Sequence, residues 1–417
     1  MRPINLLRVL AAVIISLLLP AAAFAHAPAK SSSKSVHHRH HRVHRTRRAG
    51  TTRRHRGRHV QIRRPGQTNA PGATTVQAPT HITVPAPTGQ TYYVSPTGSD
   101  SNSGTSPANA WRTVEQADRA NLKPGDAILF QGGASFGDDA LMPGWGVSAS
   151  GTSTAPITFG SYGQGQATIT QGVWFKSDNN LVFQNLALGG GSGDSGNGFQ
   201  GDGNGITLLN MTIEHADLGV NAEGDNWTIA DSTIAYTGDS GMLLGYSAGA
   251  PGDPAGGNDY LVTGNTISST GLNPAYDYGT HGIYVKVTDA TITDNTISHF
   301  NNDGVSVRYS DNTISGNRIS DGGIGLAWFQ YDASAGTSKW TDNSISNMTA
   351  AGIFVAGTRE GSRQALESFQ ISGNVIGSDG GTGMNLQPTT GTYSVNQNST
   401  PASSVNEFPQ ASTRRGA

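Results

Sequence analysis

The chain has no cysteine among its 417 residues, which excludes disulfides and thiol chemistry and leaves packing to provide its stability. Charged residues make up only 13% of it, and they are divided by sign. No Asp or Glu occurs in residues 1–90, where 15 of the 27 Lys and Arg lie. Residues 91–417 hold the other 12 bases and all 29 acids, a formal charge of −17. The near-neutral total therefore averages a basic arm and an acidic body. Long apolar runs are missing too, apart from Val9–Leu19, which is too short for the roughly 20 residues of a membrane-spanning helix. Arg2 and Arg8 precede that run and AAAFA, ending at Ala25, follows it. The pattern predicts a secretory signal peptide over 1–25 and an exported, soluble protein, outside the cell or at its surface.

Residues 26–64 form a basic, His/Arg-rich segment, in which 36–64 alone hold 11 Arg and 7 His with almost nothing apolar. Such a stretch cannot bury a core and is expected to be disordered. Its chemistry suits an anionic surface polymer held by salt-sensitive attraction, and nucleic acid is a poor partner for an exported protein. Residues 65–90, rich in Pro, Thr and Gly, read as a linker, 91–390 as one folded domain, and 391–417 as a polar tail.

What the folded part has in abundance is Gly, 56 in the whole chain, with Asn, Thr, Ser and Ile in short runs. Gly282-Ile-Tyr-Val-Lys286 returns 22 residues later as Gly304-Val-Ser-Val-Arg308. The same form, apolar at its second and fourth places, occurs at Gly219, Gly241, Gly323, Gly352 and Gly383. A second motif is built on Asn265, Asn295, Asn317, Asn343 and Asn374, each followed two residues later by Ile. Self-similarity at this period marks a solenoid, and alternation of period two marks strands. Stacked asparagines can bond one another in a ladder. The expected fold is all-β, a parallel β-helix of eight or nine coils about 4.8 Å apart, and Ala110–Asn121 is the best helix to cap its exposed first edge.

The segment YYVSPTGSDSNSGTSPANAWRTVEQADRANLKPGDAILFQGG, Tyr92–Gly133, followed by Gly and Asn coils, resembles the N-terminal part of secreted right-handed parallel β-helix proteins. These are the pectate lyases of the family-nine type and the alginate lyase and mannuronan epimerase relatives. The resemblance covers about 91–390 and implies a right-handed β-helix that acts outside the cell on acidic polysaccharides, often by Ca²⁺-assisted β-elimination. The epimerase signature Tyr-Gly-x-Asp-Pro-His is absent, and no aspartate cluster matches the pectate-lyase calcium site, so no catalytic residue is carried over.

Strand alternation points the third and fifth residues of each Gly strand outward. The fifth places give Glu223, Gly245, Lys286, Arg308, Ala327, Ala356 and Gln387; the third give Asn221, Leu243, Tyr284, Ser306, Gly325, Phe354 and Asn385. Insertions at 246–259, 271–281, 328–340 and 357–368 would wall a groove on this face, with Trp328, Tyr331, Tyr246, Tyr276 and Tyr278 as stacking faces for sugars. Glu223, Asn221, Ser306, Trp328, Tyr331, Tyr246, Asp277 and Tyr278 are the expected substrate-binding set.

β-Elimination from a uronate needs a neutralised carboxylate, a base for the adjacent proton and a donor for the leaving oxygen. Lys286 is the expected base, Arg308 the carboxylate clamp, and Tyr284 or His281 the donor, with Asp303 beside them. The plainer alternative makes Lys286 and Arg308 solvated charges and His281 and Asp303 turn residues. A second class is glycoside hydrolysis by paired carboxyls, here Asp277 and Asp303. A third is a non-enzymatic glycan-binding surface protein. Asp100-Ser-Asn102-Ser-Gly104 begins like a calcium loop but has Trp111 at the twelfth place. Calcium is nonetheless the expected bridge between a body of charge −17 and a polyuronate. The protein is expected to be a monomer.

Overall fold

A computed structural model describes residues 82–144, 149–189, 196–246, 248, 254–276, 279–331, 335–359, 363–377, 381–400 and 405–407. The signal peptide, the basic segment, most of the linker, Asp277, Tyr278 and the end of the tail lie outside these residues.

The alternation of apolar residues yields short parallel strands that wind through three faces, coil upon coil. The first face is a sheet of twelve strands, from Thr91–Val94 and Ala127–Gln131 to Ser368–Ser372 and Tyr393–Asn396. The second carries the Asn motif, as in Thr266–Thr270 and Thr296–Phe300, and the third carries the Gly strands, as in His281–Val285 and Asp303–Val307. Strands Arg318–Trp328 and Ser344–Val355 run unbroken around the corner and join the second and third faces into one sheet. Every pairing between coils is parallel. The architecture is the expected parallel β-helix, with more coils than the eight or nine anticipated. The additional coils lie mostly at the front, before the Asn motif begins.

The two repeated motifs prove to be one packing device. A Cβ added at Gly282 would lie 2.5 Å from Ile297 Cγ2 and 2.5 Å from the Gly304 carbonyl oxygen. The Ile of the Asn strand thus fills the space that a side chain on the Gly strand would take. The same clash recurs at Gly219, Gly241, Gly304, Gly325 and Gly352 against Ile234, Ile267, Ile319, Ile345 and Ile376. These isoleucines are buried in a core that continues through Trp227, Phe183 and Phe130 toward the front.

The asparagine ladder is continuous. Asn295 Oδ1 accepts from both the backbone N–H and Nδ2 of Asn265 at 2.9 Å, and Asn317, Asn343, Asn374 and Asn398 repeat the step. Ser232 opens it by donating its N–H to Asn265 Oδ1.

The front helix is shorter than Ala110–Asn121: it spans Val114–Asp118, capped by Thr113, whose hydroxyl accepts from Gln116 N–H. Trp111 is held extended instead, in a bridge with Val94. Asp100 accepts the N–H groups of Arg112 and Thr113, so this residue braces the cap. Val114 and Ala117 pack into the core.

One strand is framed differently from the sequence reading. Ser306 pairs with Ala327, and Val307 with Trp328, so the Gly in line with Gly304 is Gly325 and not Gly323. Ala327 and Phe329 thereby occupy the third and fifth slots. Trp328 points inward and is 0% exposed, pairing with Val307 and Val355. It therefore cannot serve as an exposed stacking face.

Candidate functional site

The register His281↔Asp303, Ile283↔Val305, Tyr284↔Ser306 and Val285↔Val307 places Lys286 and Arg308 side by side on the outer surface of successive coils. Alternation buries Ile283, Val285, Val305 and Val307 and sends Tyr284, Ser306, Lys286 and Arg308 the other way. Yet the two cations are not solvated. Lys286 is 9% exposed and Arg308 8%, because aromatic rings cover them.

Lys286 Nζ lies 4.8 Å from the centre of the Tyr284 ring. The Arg308 guanidinium carbon lies 4.7 Å from the Tyr284 ring centre, 4.7 Å from that of Phe329 and 5.4 Å from that of Tyr331. Cation–π attraction in such desolvated sites reaches about 2 kcal/mol each, which offsets part of the cost of crowding two like charges. The Tyr284 and Tyr331 hydroxyls are 3.3 Å apart. The pair is electrostatically asymmetric. Burial pushes the Tyr284 hydroxyl well above its ordinary value, with Arg308 opposing. Burial also acts to raise Tyr331, but the hydrogen bond to Tyr284 and the charges of Arg308 and Lys286 prevail, and its net shift is downward.

Beneath them lies a chain of polar contacts. Arg308 Nη1 donates to Ser306 Oγ at 2.8 Å, and Ser306 Oγ donates to Asp303 Oδ2 at 2.6 Å. His281 Nδ1 is 3.3 Å from the same Asp303 oxygen, without hydrogen-bond geometry. Burial, with Arg308 and Lys286 adding to it, lowers His281 well below its ordinary value, so the ring is neutral. Burial raises the Asp303 carboxyl, against the Ser306 hydrogen bond and the Arg308 charge.

The structure thus brings together Lys286, Arg308, Tyr284, Tyr331, His281, Asp303 and Ser306. It leaves others apart. Glu223 pairs with Asp202 on coils nearer the front. Asn221 is buried two coils before Tyr284, its Oδ1 without a hydrogen-bond partner among the described residues. Tyr246 is exposed just past Gly245. Phe329, which sequence reading missed, closes over Arg308; the signal for it was the Gly325 frame. Also missed were Asp217 and Asp239, which share the second place before Gly219 and Gly241. Asp217 Oδ2 accepts from Tyr276 OH at 2.7 Å, and burial raises the Asp239 carboxyl while the Lys286 charge opposes it.

Among the described residues, no group of three or more His, Cys, Asp or Glu could hold a metal ion, and no helix is long and apolar enough to cross a membrane. No curated protein matches the chain. Among solved structures it is similar to pectate lyase Pel9A, at 17% identity and TM-score 0.49, over 73% of this chain and 80% of that one. It is similar to the GH136 lacto-N-biosidase from Eubacterium ramulus at 16% identity and TM-score 0.48, over 74% and 67%. The periplasmic alginate epimerase AlgG is similar at 12% identity and TM-score 0.40, over 66% and 62%. At such identities these likenesses say nothing about chemistry. Residues 253–401 match the family described as the right handed beta helix region. With three parallel faces, a continuous Asn ladder and this match, the folded part of the chain is a right-handed parallel β-helix.

Proposed function

We propose that this protein is an exported polysaccharide lyase that cleaves an acidic, uronate-containing polymer by β-elimination at the Lys286–Arg308 cluster. The observation that carries the reading is the placement of two cations on successive coils against a pair of tyrosines whose hydroxyls lie 3.3 Å apart. A polymer carboxylate docked at the edge of the Lys286–Arg308 pair would be attracted by both neighbouring cations. A lysine ammonium has no lone pair to accept a proton, whereas Tyr331 acts in its ionised form, which the neighbouring charges of Arg308 and Lys286 favour. It takes the C5 proton, the C–H electron pair becomes the C4=C5 double bond, and the C4–O4 bond breaks. O4 takes its proton from Tyr284, and transfer across the 3.3 Å contact from Tyr331 to Tyr284 restores both groups. Lys286 then holds the carboxylate with Arg308 rather than acting as the base, and buried His281 stays away from the polymer.

Calcium is proposed only as an ion shared with the polymer, since the described residues supply no cluster for one. The basic segment 36–64 is proposed to hold the protein near an anionic surface. The deciding experiment incubates the purified protein with pectate, alginate and glycosaminoglycans, with and without calcium, and follows ultraviolet absorbance of unsaturated ends. Absorbance that disappears in Arg308→Ala and Tyr331→Phe supports the reading. New reducing ends without absorbance would make it a hydrolase, and binding without cleavage a glycan-binding protein.

A further inference from the structure

We infer that Asp303 is a positioning residue, which fixes the Arg308 guanidinium through Ser306 and so sets the direction in which that guanidinium meets an anionic ligand. This rests on the reading of Arg308 as the carboxylate-binding group. Ser306 is fully buried although its slot faces outward, and its hydroxyl has one proton to give. That proton goes to Asp303 Oδ2 at 2.6 Å, a length typical of a bond to an ionised carboxylate, which leaves the oxygen lone pairs for Arg308 Nη1 at 2.8 Å. Nη1 is also held by the Val307 carbonyl oxygen at 3.2 Å. The guanidinium is therefore held at Nη1 from beneath and clamped between rings, with the Tyr284 and Tyr331 hydroxyls also bonding it, while Nε is a buried donor without a hydrogen-bond partner among the described residues.

The carboxylate has a second reason to be there. Lys286 and Arg308 bring two positive charges to a site with very little solvent, and the neutral His281 ring occupies the other side of Asp303. Asp303 is the carboxylate hydrogen-bonded to Arg308 through Ser306, and when ionised it offsets part of that positive charge, beside the Asp239 carboxyl that interacts with Lys286. Removing the Asp303 charge should leave two cations repelling each other and Ser306 free to turn its proton elsewhere. Of the two tyrosines around the guanidinium, Tyr284 adds no charge while protonated, and Tyr331 adds a negative charge when it is ionised as the base.

The test uses the full chain with Asp303→Asn, Ser306→Ala and the double variant, each first checked for a wild-type thermal transition. The readout independent of turnover is the ¹⁵N side-chain resonance of Arg308 Nε–H. It should be sharp and slowly exchanging in the wild type, and broadened or exchanging at least tenfold faster in each variant. In turnover of the cleaved polyuronate, each single variant should raise KM about tenfold or more. The double variant should be no worse than the worse single one, because both act through a single chain of contacts. An unchanged Arg308 resonance in Asp303→Asn, or additive losses in the double variant, overturns the inference. If no polymer is cleaved by the wild type, the lyase reading fails, and the resonance still decides whether Asp303 orders Arg308.

Discussion

At the scale of single residues, the site depends on where alternation leaves a side chain and on which neighbours then cover it. The first was legible in the sequence: the 22-residue repeat puts Lys286 and Arg308 in one slot on adjacent coils, and the register agrees. The covering was not legible. Phe329 and Tyr331 come from the next coil, and their placement depends on whether Gly323 or Gly325 starts that strand. A shift of two keeps every residue on the same face, so hydrophobic alternation cannot choose between the two frames. Two residue-level outcomes follow. Tyr331→Phe should lower kcat by 10²–10⁴, the usual worth of a general base, with little change in thermal stability. Lys286→Ala should act mainly on KM, and equal loss of kcat in Lys286→Ala and Tyr331→Phe would restore the lysine as base.

A third residue-level outcome concerns pH. Burial pushes the Asp118 carboxyl from 3.8 up to about 8, helped by Asp139, Asp138 and Glu115 and opposed by the Met142 N–H. The folded state then binds a proton more readily than the unfolded chain. Its contribution to stability is complete below pH 3.8 and is lost as the pH rises toward 8. The unfolding free energy should fall with a slope of up to about 1.4 kcal/mol per pH unit for this one proton. Asp118→Asn should flatten that part of the profile in denaturation measured from pH 4 to pH 8. His281 works in the opposite sense. Its lowered value means that stability is lost as the pH falls through the ordinary value of 6.5, so the wild-type profile should be steepest where the two effects do not overlap.

At the scale of the element, the unit of stability is a corner shared by two strands rather than either strand. The sequence exposed both motifs, because each recurs at the coil period, but not their connection: nothing in the spacing says that the Ile of one motif fills the space left by the Gly of the other. The ladder carries the clearest prediction. Asn317 Oδ1 accepts two bonds from buried Asn295, and Asn317 Nδ2 donates to the Ile292 carbonyl and to Asn343. Asn317→Ala therefore leaves several buried groups unpaired, at about 1–3 kcal/mol each. Asn398→Ala, at the half-buried end of the same ladder, should cost markedly less. Urea midpoints of the two variants check this, and equal losses would mean that the ladder does not stabilise through its interior bonds. The early coils, which precede Ser232, lack this ladder among the described residues and hold a cluster of aromatic rings. Phe159 stacks on Phe183 at 5.1 Å and Phe183 on Phe175 at 5.7 Å. Their chemistry differs from the later repeats, which is why repeat counting missed coils there.

At the scale of the whole molecule, charge is distributed so that the two ends of the sequence oppose each other. Residues 91–417, of net charge −17, would repel a polyuronate, yet the candidate site carries two cations. Short-range attraction at Arg308 and Lys286 must then compete with long-range repulsion, whose reach is about 30 Å at 0.01 M salt and about 10 Å at 0.1 M. The 11 Arg and 7 His of residues 36–64 would reverse the long-range sign near the chain's start. The two contributions separate by salt. The full chain should be retained on immobilised polyuronate at low ionic strength and released as salt rises, since the arm's attraction is screened. A variant lacking residues 36–64 should bind weakly at low salt and lose little, or gain, as salt screens the body's repulsion. Below about pH 6.5 the histidines add positive charge, so retention of the full chain alone should strengthen there. Retention of the two proteins that is equal at low salt, or that rises equally on acidification, would show that the basic segment does not draw the protein to a polyuronate.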